Sequence, residues 1–236
     1  MVEVLVPDSA PKALHKVKLF AGLSPEELGK IEVVCRYKRF SANEQIFDRN
    51  SKARDVFFVI RGKVRVVNYS LAGREITLDD ISEGEYFGEL AALDGQPRSA
   101  SIMALTDCLI VALSPVQFVQ VLERHPKVAL RALRRLSQIV RRSTERIMDL
   151  STLGANNRVH ADLLRLAEAG DKKDNTVMIR PIPVHGDIAS RIGTTRETVA
   201  RVLNDLARRG IVKRTKDALV ISDMARLHEM VEDVRG

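Results

Sequence analysis

Phe87-Gly-Glu-Leu-Ala-Ala-Leu-Asp-Gly-Gln-Pro-Arg-Ser-Ala100 is the densest concentration of chemistry in the chain. Arg98 offers a planar fork of N–H donors matched to phosphate oxygens. Ser99 adds a hydroxyl, and the small Ala100 leaves room for a neighbouring backbone N–H to approach. Nine residues before the arginine, Glu89 can accept from a sugar hydroxyl, and Gly88 permits close backbone contact. Taken singly these residues mean little: an arginine after a proline is usually on a surface, and Gly-Glu is commonplace. As an ordered set they suit a small ligand carrying one anionic phosphodiester and one free hydroxyl.

The flanking sequence predicts what frames this stretch. Asp55-Val-Phe-Phe-Val-Ile60, Lys63-Val-Arg-Val-Val67 and Glu75-Ile-Thr-Leu78 are β-type runs, punctuated by Arg61-Gly62, Ala72-Gly73 and Glu83-Gly84-Glu85. Strands recurring at such close intervals predict a small barrel or sandwich over residues 35–113. Upstream, residues 12–34 read as short helices, with Ser24-Pro25-Glu26-Glu27 supplying a cap, an N1 proline and first-turn acids. Downstream, Pro115 to Arg124 reads as a helix, so a first domain is expected over residues 1–125.

From Pro126 the period turns helical. Leu133, Leu136, Val140, Ser143, Ile147 and Leu150 fall at alternating steps of three and four, a coiled-coil seam flanked by Arg134, Arg135, Arg141, Arg142, Glu145 and Arg146. A dimerisation helix is expected over residues 126–153; packing on the chain's own barrel is the alternative. Ser143, with Thr144 beside it, interrupts the seam with polarity. That serves either to fix register or to touch a bound ligand.

Gly154-Ala-Asn-Asn157 breaks the helix and starts another, Arg158 to Ala169, followed by a polar loop, Gly170 to Thr176, and a strand-like Val177 to Ile179. His185 to Leu206 then has a helix, glycine turn, helix layout. Ile188, Ala189, Ile192, Val199, Val202, Leu203 and Leu206 form its inner face, leaving Arg196, Glu197, Ala200, Arg201 and Asn204 outside. Arg196 and Arg201 can bond guanine bidentately, and Glu197 can accept from cytosine. Thr194-x-x-Glu197 is equally a capping box, and spacing leaves both uses of Glu197 open. Ile211 to Ile221 reads as a β-hairpin wing presenting Lys213, Arg214 and Lys216, and residues 223–234 as a short helix. Charge agrees with this division. The net +7 resolves into −1 over residues 1–125 and +8 over residues 126–236, so one end is expected to meet a polyanion.

The cassette, with Leu19-Phe-Ala-Gly-Leu-Ser24 before it and the long helix and helix-turn-helix after it, resembles the cyclic AMP receptor branch of the Crp/Fnr superfamily over nearly the whole chain. That resemblance implies an α+β protein: an N-terminal cyclic-nucleotide-binding β-barrel of jelly-roll type, a long dimerisation helix, and a winged helix-turn-helix over residues 154–236. It implies that Gly88 and Glu89, with Leu90 beside them, hold the ribose, and that Arg98, Ser99 and Ala100 hold the cyclic phosphate. Ser143 and Thr144 match the place where the family's long helix meets the base, although the order here is Ser then Thr. Arg196, Glu197 and Arg201 match the family's recognition helix and imply a palindromic site with a TGTGA-like core; Thr195, His185 and Lys213 would contact phosphates. Gly186 stands where the family usually has a longer polar residue. The implied partners are DNA, a second copy of the chain, a cyclic nucleotide effector (cyclic AMP foremost) and RNA polymerase.

Rival readings keep the architecture but change the ligand to cyclic GMP, a cyclic dinucleotide or none, or make the chain a nucleotide-gated protein-interaction module. No nucleophile–base set, metal cluster or Walker loop is evident, so neither an enzyme nor a catalytic cofactor is expected. Cys35 and Cys108 read as reduced core thiols. Residues 1–34 contain no cysteine for an iron–sulfur centre, and His15 and His125 read as surface residues. Met1 to Ala10 lacks a secretory layout, and a cytoplasmic, membrane-free protein is expected.

Overall fold

The computed structural model describes residues 2–4, 13–168 and 170–235. Most of Met1–Ala10, and the Ala169 end of the predicted helix, lie outside them. The chain divides into two compact units, Met1–Gln138 and Ile139–Gly236. No helix among the described residues is long and apolar enough to cross a membrane.

In the first unit the strands are β1 (Val2–Val4), β2 (Arg36–Phe40), β3 (Gln45–Phe47), β4 (Val56–Arg61), β5 (Lys63–Tyr69), β6 (Glu75–Ser82), β7 (Tyr86–Phe87), β8 (Ser101–Ala104) and β9 (Cys108–Leu113). They form two antiparallel sheets, ordered β1-β2-β9-β4-β7 and β3-β8-β5-β6. The unbroken apolar run of β4 has a simple cause, since both its faces are covered. Phe57 and Val59 face the second sheet and join Phe40, Val64, Ile81, Phe87, Ile102 and Ile110 in the sandwich interior. Val56, Phe58 and Ile60 point the other way, into a core closed by helices. Those helices are α1 (Pro25–Glu32), α2 (Glu89–Asp94), α3 (Pro115–Arg124) and the start of α4 (Pro126–Thr152). The capping signal at Ser24 is realised: its hydroxyl accepts from Glu27 N at 3.2 Å, and the Glu27 carboxylate accepts from Ser24 N at 2.7 Å. Val128 and Ala132 of α4 are buried in this core, which carries the first unit as far as Gln138. The predicted seam lies on another face, with Leu133 59%, Val140 64% and Ile147 62% exposed.

The second unit contains the end of α4, α5 (Ala155–Glu168), β10 (Asp171–Lys173), β11 (Thr176–Ile179), α6 (His185–Ile192), α7 (Arg196–Arg208), β12 (Val212–Arg214), β13 (Leu219–Ile221) and α8 (Met224–Arg235). Its sheet runs β10-β11-β13-β12, so the predicted wing is a true hairpin within a larger sheet. Two expectations are corrected. The polar loop at 170–176 contains a strand, because β10 pairs with β11 across Asp174-Asn175 and draws on backbone hydrogen bonds rather than an apolar face. Helix α5 starts three residues earlier than the break at 154–157 predicted.

Around Val159, Leu163, Ile188, Ile192, Val199, Val202, Leu206 and Ile221 a single core fixes α5, α6 and α7. An ionic bracket reinforces it: buried Asp162 of α5 accepts from Arg191 of α6 at 2.9 Å, and Arg165 bonds buried Asp149 on α4. On α8, Leu227 and Val231 are buried, the latter with Leu153 and Ala161.

Candidate ligand site and nucleic-acid interface

Gly88, Glu89 and Arg98 come together at the edge of the sandwich. The chain turns from β7 into α2 at Gly88, whose φ of 85° lies in the left-handed region that suits glycine. Space there is as restrictive as the backbone. A Cβ on Gly88 would lie 2.6 Å from Arg98 Nη1 and 2.9 Å from the Asp55 carbonyl oxygen.

Arg98 is 3% exposed. Nη1 donates to the Gly88 carbonyl at 2.9 Å and Nη2 to that of Asp55 at 2.7 Å. Its plane lies over the Phe47 ring, 4.3 Å from the centroid, with Phe57 at 5.6 Å. Nε is buried and has no protein partner. Burial pushes its pKa down, opposed by the negative charges of Asp55 and Glu89. The sequence pattern missed Asp55, Phe47 and Phe57 as parts of this site. The aromatic pair in the β4 run was the available signal.

Glu89 is 6% exposed. Burial raises its pKa above the usual carboxylate range, against its own backbone N–H and the charges of Arg135 and Arg98. Leu90 and Ser99 are exposed and Ala100 is buried; the Ser99 carbonyl accepts from Asn68 Nδ2 at 3.3 Å. One end of the site thus holds a desolvated cation whose Nε is unpartnered, and the other an acceptor: donors and an acceptor for an anionic sugar phosphate. Ser143 and Thr144 belong to the second unit; both are exposed, and the Thr144 hydroxyl donates to Val140 O at 3.0 Å.

In the second unit, α6 ends at Gly193, with φ 66°, and α7 begins after Thr195. The cap is Thr195, whose hydroxyl accepts from Thr198 N at 3.3 Å, so the Thr194–Glu197 capping box does not form. Extended backbone at Thr195 and burial of Thr194 account for the difference. Glu197 is therefore on the exposed face; its own backbone N–H and the Thr195 hydroxyl hold its carboxyl below the usual range. Arg196, Arg201 and Asn204 are exposed with it, while Val199, Val202 and Leu206 are buried. His185 opens α6 half-buried, and Lys213, Arg214 and Lys216 are exposed on the wing. Gly186 has a role the sequence hid: a Cβ there would lie 2.9 Å from Arg196 Nε, so the glycine makes room for that side chain.

Comparison with known proteins agrees with both halves. A family model described as cyclic nucleotide-binding domain matches residues 37–125, and one described as Crp-like helix-turn-helix domain matches residues 157–230. The chain is 33% identical to a cyclic AMP receptor protein of Thermus thermophilus over 212 residues, covering 90% of this chain and 95% of that one. It is 26% identical to a CRP-like cAMP-activated global transcriptional regulator of Mycobacterium tuberculosis, covering 91% and 96%. Among solved structures, a CooA variant from Carboxydothermus hydrogenoformans superposes with a TM-score of 0.77 at 25% identity, covering 86% of this chain and 90% of that one.

Proposed function

The chain belongs to the Crp/Fnr superfamily of cyclic-nucleotide-binding, DNA-binding transcription regulators, and from that membership we propose that it is a homodimer switched by cyclic AMP. The carrying observation is the buried Glu89–Arg98 arrangement around Gly88. Arg98 and Ser99 hold the cyclic phosphate, with the Ala100 segment alongside, and Glu89 accepts the ribose 2′-hydroxyl. Arg98 already stands desolvated on two carbonyls, so a phosphate gains a charge-assisted partner whose ordering cost is largely met. Support for the dimer comes from the exposed apolar stripe on α4. Ser143 and Thr144, its polar break, meet the ligand's base.

Ligand binding then favours one arrangement of the paired helices, which sets two recognition helices about 34 Å apart on a palindrome. Arg196, Glu197 and Arg201 read base edges of a TGTGA-like half-site, while His185, Thr195 and Lys213 hold phosphates. RNA polymerase is the further partner, and the cytoplasm the place of action. The test is DNA binding on a palindromic probe at fixed salt with and without cyclic AMP, alongside cyclic GMP and a cyclic dinucleotide. Tighter binding with cyclic AMP is expected. A tighter response to another nucleotide reassigns the effector, and binding indifferent to all three removes the switch.

A further inference from the structure

By sequence Arg135 is one of several arginines flanking a seam, but its surroundings are those of the ligand site. Its side chain is 16% exposed and bonds the Glu85 carboxylate. Nη2 donates to the Tyr86 carbonyl at 2.7 Å, and the guanidinium lies over the Tyr86 ring, 4.5 Å from its centroid. Arg135 Nε and the Tyr86 hydroxyl are both buried without protein partners. Tyr86 lies three residues before Glu89, and both face the Arg135 charge. The charged groups acting on the Glu89 carboxyl are thus Arg135 from α4 and Arg98 from the segment before β8. Glu85 lies against Arg135, and Asp55 against Arg98. Among the described residues, no charge on α3 or β4, the other elements packed on α2, acts on it.

A carboxyl so deeply buried tends to take up a proton unless a cation opposes this. Two cations do so here, and they are not equivalent. Arg98 is the group that an incoming phosphate engages, and the anion offsets its charge at the moment when Glu89 must act as acceptor. Arg135 is then the remaining opposing charge. We propose that Arg135 is a positioning residue of the nucleotide site: fixed by Glu85 and the Tyr86 carbonyl, it keeps Glu89 the carboxylate that accepts the ribose hydroxyl once Arg98 is engaged. The proposal rests on the assignment of Glu89 to the ribose and gives α4 a direct share in the pocket.

The full chain, with Arg135→Gln and Arg135→Lys, is tested in two ways. Titration of the Glu89 carboxyl in ligand-free protein, by carbon-13 NMR with the signal assigned from Glu89→Gln, reports ionisation directly. The midpoint rises by about one pH unit or more in Arg135→Gln and returns most of the way in Arg135→Lys. Calorimetry with cyclic AMP between pH 5.5 and 8.5 then shows affinity failing at correspondingly higher pH in Arg135→Gln, by about tenfold in the shifted interval. The 2′-deoxy analogue, which lacks the hydroxyl, shows no such interval. An unmoved midpoint, or a loss uniform in pH, makes Arg135 a packing residue and overturns the inference while leaving the Glu89 assignment intact. Unaltered protein that binds cyclic AMP and its 2′-deoxy analogue equally overturns the assignment itself. If Arg135→Gln does not fold, Arg135→Met substitutes: it keeps an apolar stem and removes the cation, and an unmoved midpoint overturns the proposal.

Discussion

Glu89 with Arg98, and Glu197 with Arg196 and Arg201, use the same two side-chain types at opposite extremes of solvent access. In the first unit the charges are desolvated, braced on carbonyls and rings, and few. Burial raises the Glu89 pKa, whereas local donors lower that of Glu197 in open solvent. A buried pair of this kind discriminates sharply, because a wrong ligand leaves a group unpaired in a poor solvent for charge. Exposed charges gain little from one another and are screened by salt. That weakness leaves them available to a polyanion, where each contributes a modest, additive share.

The largest effect expected from this contrast is at Arg98. Arg98→Ala removes the cation from the buried set, and two or more charged hydrogen bonds to the ligand go with it. Nucleotide affinity falls by about a hundredfold or more, at roughly 1.5–3 kcal/mol for each bond, and the ligand response in DNA binding disappears. Calorimetry and a mobility shift read these two quantities; an unchanged ligand-dependent shift would falsify the assigned pocket. Gly88→Ala attacks the same site through the backbone. Left-handed φ and a Cβ within 2.6 Å of the guanidinium make it cost about 1–3 kcal/mol of stability, seen as a lower denaturant midpoint of the first unit. A midpoint equal to that of the unaltered chain would mean that the turn relaxes freely.

Legibility in the sequence divides along similar lines. Helix α3 runs from Pro115 to Arg124 as predicted, and the inner and outer faces of α7 follow its 3.6-residue period, because local chemistry decides both. The cassette was legible as a set since its members lie within fourteen residues. What escaped depends on contacts far apart in sequence or on choices between near-equals. Arg135 meets Glu85 across 50 residues, and no motif marks it. Strand β10 is exposed throughout and thus has no alternation to read. Thr194 and Thr195 are adjacent copies, and tertiary burial of the first decides which one caps α7. Gly186 lacked a positive φ to explain it, and its use appears once Arg196 lies against it.

On the exposed side the effects are smaller and differently shaped. Arg201→Ala is expected to cost about 1–3 kcal/mol at one base pair of each half-site and to relax preference there, while nucleotide affinity stays unchanged. Binding to a panel of single-base operator variants measures this. A loss equal across all variants would make Arg201 a phosphate contact, and the recognition face would need a different reader.

The smallest effect sharpens the comparison by placing a titratable group without a counter-charge network inside the DNA-binding unit. His160 on α5 is buried, and its Nδ1 has no protein partner. Burial pushes its pKa below the usual histidine value, Arg209 pushes the same way, and Asp205 opposes both. The unfolded chain therefore binds a proton near pH 6.5 while the folded unit still refuses it. In that window the unfolded state carries more protons, so stability rises with pH, levels off above about 6.5, and falls as the solution is acidified. One proton limits the slope to about 1.4 kcal/mol per pH unit. Denaturation of the full chain followed through the second unit between pH 5 and 7.5 reads the slope, and His160→Gln, which cannot titrate, flattens it. An undiminished slope in that variant would show that the imidazole is not the source of the acid sensitivity of this unit.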